Sequence, residues 1–372
     1  MTTPPAPARN IDRWTPLLDP PAFPPDRYAL IADRIKALLM TENDVLLIQA
    51  EAVVALEAVA TSIARPGLKA LNIVTSPYGG WFGKWLARGG ADVVTLAAEP
   101  ARAVTIDAVR QALDAAPDSA VLALVHAESA SGICNPLDEI AELARSRGIV
   151  TVVDAVASIG GHPLDIDALG IDIAVIGPQK ALAGPAGVSA LSISPAAWKL
   201  VSEENSPRDS ILSLLDQRAW IESGRAALPG TTAPLEFFAL EAALDRIEAE
   251  GVAATVARHA KASHATRAGL QALGAMPWAS DRTTSRLVTT VEAPATSTPS
   301  EIIAAASDLG CELTSGVGPG AERLVRFNHT GNRARFETVL SAVTAYGIAL
   351  QRLGLKADIG SAAAAIAAAY AD

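Results

Sequence analysis

Between residues 45 and 193 the chain alternates short, continuously apolar runs with longer amphipathic stretches. Val45–Ile48, Ala70–Thr75, Val93–Leu96, Val121–Val125, Ile149–Val153, Ile171–Ile176 and Val188–Ile193 are short and rich in β-branched residues, which predicts strands. Ala52–Ala64, Ile106–Ala115 and Leu137–Ser146 space their apolar residues three and four apart, which predicts helices. Ahead of the first strand, Tyr28, Leu30, Ile31, Ile35, Leu38 and Leu39 mark one more helix from about Asp26 to Met40. Strands apolar on both faces and separated by helices define an α/β chain with a mainly parallel central sheet covered by helices. Ligands of such sheets sit at the carboxyl ends of the strands.

The rhythm changes after residue 234. Helical patterns over about Leu235–Gly251 and Val256–Leu273 lead into Arg286–Val291, Ile302–Leu309, Glu312–Ser315 and Arg323–Phe327, and a helix from about Phe336 to Leu353 follows. This mixture predicts a smaller α+β C-terminal domain. Residues 1–26 hold eight of the 24 prolines, a density that forbids regular helix and predicts an extended arm. The expected organisation is an arm at 1–26, a large domain at 27–250 and a small domain at 251–372.

Composition narrows the class. The 372 residues are 50% hydrophobic but only 4% aromatic, and mean hydropathy is +0.27, a value that chains with membrane spans share. No apolar run approaches the ~18 residues that a span needs, the Ala-rich tail at 362–371 included. MTTPPAPARN lacks the basic-then-apolar layout of a secretory leader. A net charge of −10 with no Lys/Arg block argues against nucleic acid. Two cysteines, Cys134 and Cys311, exclude a disulfide scaffold and suit a reducing cytoplasm. These features predict a cytoplasmic enzyme acting on small molecules, with no nucleic-acid or membrane partner.

The chemistry concentrates at two strand ends. Asp154 follows Ile149–Val153, and Lys180 lies in Gly177-Pro178-Gln179-Lys180, just after Ile171–Ile176. Both therefore fall in the crevice where ligands bind. A lysine there can form a Schiff base, and a buried acid facing the same crevice can keep a pyridine nitrogen protonated. By spacing alone, Asp154 could equally cap the next helix and Lys180 could lie on the surface.

The segment VVDAVASIGGHPLDIDALGIDIAVIGPQKALAGPAG (152–187) closely resembles the cofactor-lysine region of class V, fold-type I pyridoxal-phosphate aminotransferases. HAESASGICNPL (126–137) is similar to that family's His-x-Glu-Ser/Thr segment, and PYGGWFGKW (77–85) lies where the family places an aromatic over the cofactor ring. The resemblance runs from about Ala29 to Leu353. It implies Lys180 as Schiff-base lysine and proton shuttle, Asp154 as pyridinium partner, Tyr78 as stacking ring and Ser129 as a hydroxyl contact. It also implies Gln179 and Thr232 as cofactor-side contacts and Arg326, in RLVRFNHTG, as the clamp on a substrate carboxylate. A homodimer with shared sites, or a higher oligomer, is implied too.

Two departures bear on the substrate. Relatives that hold the phosphate have a Gly-Ser-Gly-Thr-like turn opening the helix after the first strand, where backbone N–H groups cradle the dianion. Here that turn reads Gln49-Ala50-Glu51-Ala52-Val53, and a second phosphate-side hydroxyl position is Pro178. Both features resemble the pyridoxamine–pyruvate aminotransferase branch, which takes unphosphorylated pyridoxal and pyridoxamine as substrates. ILSLLD (211–216), Thr232-Ala233-Pro234 and TSGVGPG (314–320) share that likeness. The branch's second arginine is Val317 here, and the N-terminal Gly-Pro segment of relatives reads Leu18-Asp19-Pro20-Pro21. Alternatively, Glu51 merely caps the helix that follows it.

The resemblance thus implies a transaminase acting between pyridoxamine/pyridoxal and pyruvate/alanine or a similar pair. The alternatives are an aminotransferase of the alanine–glyoxylate or serine–pyruvate type that retains pyridoxal phosphate, and a desulfurase-like lyase using Cys311. No metal is expected: His126-x-Glu128 has no partner Pro-Cys-x-x-Cys, and the five histidines are scattered. Trp81 and Trp85 are expected to pack their helix on the sheet, and Cys311 to be structural.

Overall fold

The structure, a computed structural model, describes residues 20–201, 206–225 and 228–371. Most of the expected proline-rich arm, including Leu18 and Asp19, therefore lies outside the described residues. The seven apolar runs form one sheet in the order β1-β7-β6-β5-β4-β2-β3. Its strands are β1 (Asp44–Ile48), β2 (Lys69–Val74), β3 (Asp92–Ala97), β4 (Val121–Val125), β5 (Val150–Asp154), β6 (Ile173–Ile176) and β7 (Ser189–Ile193). Pairing is parallel from β3 through β6, and β7 runs antiparallel to both β6 and β1.

Every residue of β4, β6 and β7 is buried, which is why these strands read as unbroken apolar runs rather than alternating ones. Edge strand β3 has no residue fully buried. Parallel register puts Val125 beside Asp154 and Asp154 beside Val175, so β4, β5 and β6 end along one edge. The turns after β1 and β2 open at the same edge.

The helices begin where local chemistry starts them. Thr105 caps Ile106–Ala115 through the N–H of Ala108, and Thr298 with Glu301 forms a reciprocal capping box on Pro299–Ala306. Proline occupies the first turn of Pro25–Leu38, Pro77–Arg88 and Pro234–Glu250, where its missing N–H costs nothing. One apolar core runs from Phe23 to Ile247 around the large sheet.

A second core, from Ala262 to Ala369, surrounds an antiparallel sheet β8-β10-β9, made of β8 (Val288–Glu292), β9 (Leu313–Ser315) and β10 (Leu324–Asn328). The Ala-rich tail is a helix, Ile359–Ala371, packed along Val252–Leu273. Ile366 of this helix lies over Gly269, where a Cβ would come within 2.7 Å of it. Among the described residues no helix is long and apolar enough to cross a membrane.

Candidate active site

Lys180, Asp154, Glu51, Gln179, Ser129 and Tyr78 line one cavity of about 190 Å³ at the carboxyl edge of the large sheet. Asp154 closes β5 and is buried, and its Oδ1 accepts the N–H of Val156 at 3.0 Å. Lys180 follows β6, and its Nζ donates to Ser129 Oγ at 3.0 Å and lies 5.9 Å from the Tyr78 ring centre. The backbone under the lysine is pressed from the small sheet's side. Gly331, at φ +60, approaches so closely that a Cβ would meet the Lys180 carbonyl at 2.8 Å.

Burial sets the electrostatics. It lowers the Lys180 ammonium, opposed by the carboxylates of Asp154, Glu128 and Glu51. It raises the Asp154 carboxyl, opposed by the Lys180 charge. The result is an amine that deprotonates more readily than a free lysine, beside an acid that retains its proton more readily than a free aspartate.

Arg326 on β10 reaches across from the small sheet. Its Nη1 donates to the Ser129 carbonyl at 2.9 Å and its Nε to Thr314 Oγ1 at 3.1 Å. It lines a second opening shared with Lys180, Gln179 and Ser129, so a guanidinium and the amine face one solvent-filled mouth. Thr232 does not join them. It sits outside this cavity in the turn at 229–233, which Gln49 ties down through Pro229 O (3.0 Å) and Ala233 N (3.1 Å). The expected contact is therefore not made within one chain, because Gln49 holds that turn beyond the end of β1.

Glu51 caps its helix and also faces the cavity. Its Oε2 accepts the N–H of Val53 at 2.8 Å, capping helix Ala52–Ile63, while its Oε1 accepts from Gln179 Nε2 at 2.8 Å inside the cavity. The N–H of Val54 is taken by the Glu51 carbonyl at 2.9 Å. Two N–H groups of the helix's first turn, Val53 and Val54, are thus engaged by Glu51, and its carboxylate stands beside them. Gln179 Oε1 is buried without a partner. A pyridoxal-type ring fits this set: an acid for its nitrogen, a flat face at Tyr78, a hydroxyl at Ser129 and an amine. On such a ring a hydroxymethyl group can donate to Gln179 Oε1 or Glu51, whereas a phosphate dianion would meet the Glu51 charge.

Glu128 was not foreseen as a site residue. It is fully buried in the cavity wall, its Oε1 accepts from Thr75 Oγ1 at 2.6 Å, and burial pushes its carboxyl up to about 7. Asn135 supports this pair by donating to Thr75 Oγ1 (3.0 Å) and Val125 O (2.8 Å). The only hint in the sequence was its place between His126 and Ser129.

The histidines are less scattered than the sequence suggests. The loop after β4 and the turn after β5 bring His126, Cys134 and His162 together, with ligand atoms within 4.8 Å of one another. His162 Nε2 accepts the N–H of Arg286 at 3.1 Å, so its Nδ1 carries the proton that faces Cys134 Sγ at 3.9 Å. Burial pushes the Cys134 thiol up to about 12. The trio forms a polar cluster in the core. Cys311 packs half-buried against the small core, its thiol raised by burial, and lines neither opening at Lys180. Trp85 packs on the large core as expected, but Trp81 does not: it is 43% exposed.

A lysine and a buried aspartate facing each other at the carboxyl edge of this sheet are the defining pair of a fold-type I pyridoxal-dependent aminotransferase. The chain belongs to the class-V aminotransferase family, whose profile matches residues 27–316. It is 34% identical over 340 residues to a pyridoxamine–pyruvate transaminase of Mesorhizobium japonicum, spanning 90% of this chain and 85% of that protein. Identity to an alanine–glyoxylate aminotransferase of Callithrix jacchus is 31%, over 86% of this chain and 79% of that one. The crystal structure of a pyridoxamine–pyruvate aminotransferase from Mesorhizobium loti superposes with a TM-score of 0.88 at 32% identity, covering 93% and 89% of the two chains.

Proposed function

We propose that this aminotransferase moves an amino group between pyridoxamine or pyridoxal, taken unphosphorylated as a substrate, and a 2-oxo/2-amino acid pair, pyruvate/alanine or a similar one. One observation carries the reading: Glu51 is fixed by Val53 N and Gln179 Nε2 where a phosphate would need those donors free. Permanent retention of a phosphate ester, as the alternative requires, would have to displace Glu51 from both donors. A desulfurase-like reaction would need a thiol at the site, and Cys311 packs elsewhere.

The residues divide the work. Asp154 holds the proton on the pyridine nitrogen, which lets the ring, when bound, take up the electron pair released at the substrate's Cα. Lys180, neutral for part of the cycle because burial lowers its ammonium, takes the proton from that carbon and delivers it to the pyridoxal C4′, on the far side of the shared nitrogen. Ser129 Oγ, already paired to Nζ at 3.0 Å, keeps the amine aimed into the cavity. Tyr78 covers one face of the ring site and limits water there. Arg326 presents Nη2 to the substrate carboxylate while Thr314 and Ser129 hold its other nitrogens. Thr232 reaches the equivalent site of a second copy in a homodimer, and the chain works in the cytoplasm as a large unit (27–250) and a small one (251–372).

The test is a spectroscopic titration of the purified protein after dialysis. The expected result is no retained yellow chromophore, saturable binding of pyridoxal, and pyridoxal phosphate bound at least tenfold more weakly. A chromophore that survives dialysis, with the phosphate form bound more tightly, overturns the proposal.

A further inference from the structure

A second chamber of about 400 Å³ lies beside the lysine site, between the start of helix Pro77–Arg88, the end of β3 and the loop at 317–321. Its volume is within the ~300–1,000 Å³ of small-molecule sites. Pro77, Trp81, Pro100, Ala130, Val317 and Pro319 supply much of its wall. Val317 and Trp81 are 53% and 43% exposed, large apolar surface that a folded chain ordinarily covers. Its two ionisable residues, Lys84 and Glu99, are exposed to solvent. The hydroxyl of Ser131 is buried on its wall without a partner and carries no charge.

The chamber adjoins the proposed carboxylate anchor. Arg326 donates to the carbonyl of Ser129, and the N–H of Val317 donates to the carbonyl of the next residue, Ala130, at 3.2 Å. On the opposite wall, Tyr78 meets Trp81 edge to face at 5.3 Å between ring centres. Ala130 and Trp81, which line the chamber, are thus the residue after Ser129 and the ring partner of Tyr78, both of which line the lysine cavity.

Resting on the transaminase reading above, we infer that this chamber receives the side chain of the amino/oxo acid, and that the preferred partner carries a bulky apolar side chain, branched or aromatic, rather than a methyl group. A methyl would leave most of the volume unfilled and Val317 and Trp81 exposed. Each additional methylene buried there improves kcat/KM about fourfold. A charged side chain meets only Lys84 and Glu99, whose charges are exposed to solvent and screened.

The test compares alanine, leucine and phenylalanine as amino donors to pyridoxal, and separately measures binding of pyruvate and 4-methyl-2-oxopentanoate by calorimetry with pyridoxal omitted. Leucine or phenylalanine is expected to exceed alanine at least tenfold in kcat/KM, and the branched oxo acid to bind at least tenfold more tightly than pyruvate. Val317→Arg, which fills the chamber and brings a charge, is expected to erase both preferences. Equal or better use of alanine overturns the inference while leaving the transaminase reading intact. Absence of transfer from every amino acid overturns both. If Trp81→Ala alters the oligomeric state without touching donor preference, a second copy of the chain fills the chamber and the inference fails.

Discussion

Replacing Glu51 with serine isolates the charge that separates the two forms of the vitamin. Glu51 makes two hydrogen bonds, to Val53 N and from Gln179 Nε2, both 2.8 Å. Serine is itself a good N-cap, so Glu51→Ser keeps a partner for the helix N-terminus and changes stability by no more than about 1 kcal/mol. The same substitution frees Gln179 Nε2 to donate to a phosphate oxygen and removes a like charge from the turn. At ~4 Å two unit charges repel by about 1 kcal/mol in water and about 4 kcal/mol at an effective dielectric of ~20. Glu51 is exposed while its partner Gln179 is half-buried, so the gain lies between those limits, from roughly fivefold to several hundredfold in affinity for pyridoxal phosphate. Fluorescence or absorbance titration of wild type and variant measures it. The gap between the two proteins must also shrink as salt rises, because an exposed charge is screened. Unchanged affinity for the phosphate form, or a gain independent of salt, refutes the electrostatic account.

Two further outcomes follow from the site. Lys180→Ala removes the amine that sits 3.0 Å from Ser129 Oγ, and with it the bond to pyridoxal that borohydride traps and mass spectrometry detects; a trapped adduct in the variant would place the bond on another residue. Glu128, raised from 4.5 to about 7 by burial, binds more protons in the folded than in the unfolded chain between those values. Folding stability therefore falls as pH climbs from about 4.5 to 7 and stays reduced above it, by on the order of 3 kcal/mol. Glu128→Gln keeps the acceptor for Thr75, removes the titrating group and flattens this dependence; melting curves at pH 5 and 8 that keep the wild-type difference would contradict it.

The strands were legible because burial on both faces leaves nothing but apolar residues to read, as in Val121–Val125 and Ile173–Ile176. The Ala-rich tail was not, because alanine is as common on the exposed face of a helix as on the buried one. Only packing on Val252–Leu273 shows that Ala362, Ile366 and Ala369 face inward. Thr232 shows a further limit: its motif could be recognised, but Gln49 decides where the turn sits. The same holds for Trp81, which shares its helix with Trp85 yet lines a chamber instead of the core.

By itself the sequence determined the sheet, the lysine and its aspartate, and the carboxylate in the first turn, all of which depend on residue type at a local position. Tertiary structure alone decided that Glu51 caps its helix and enters the cavity together with Gln179, 128 residues away. It also decided that Glu128 is buried beside Thr75, that His162 meets His126 and Cys134 while accepting from Arg286, and that Val317 borders an open chamber. Those outcomes depend on which distant groups are pressed together out of water. Desolvation and hydrogen-bond partnership act through that proximity in space, which spacing along the chain does not carry.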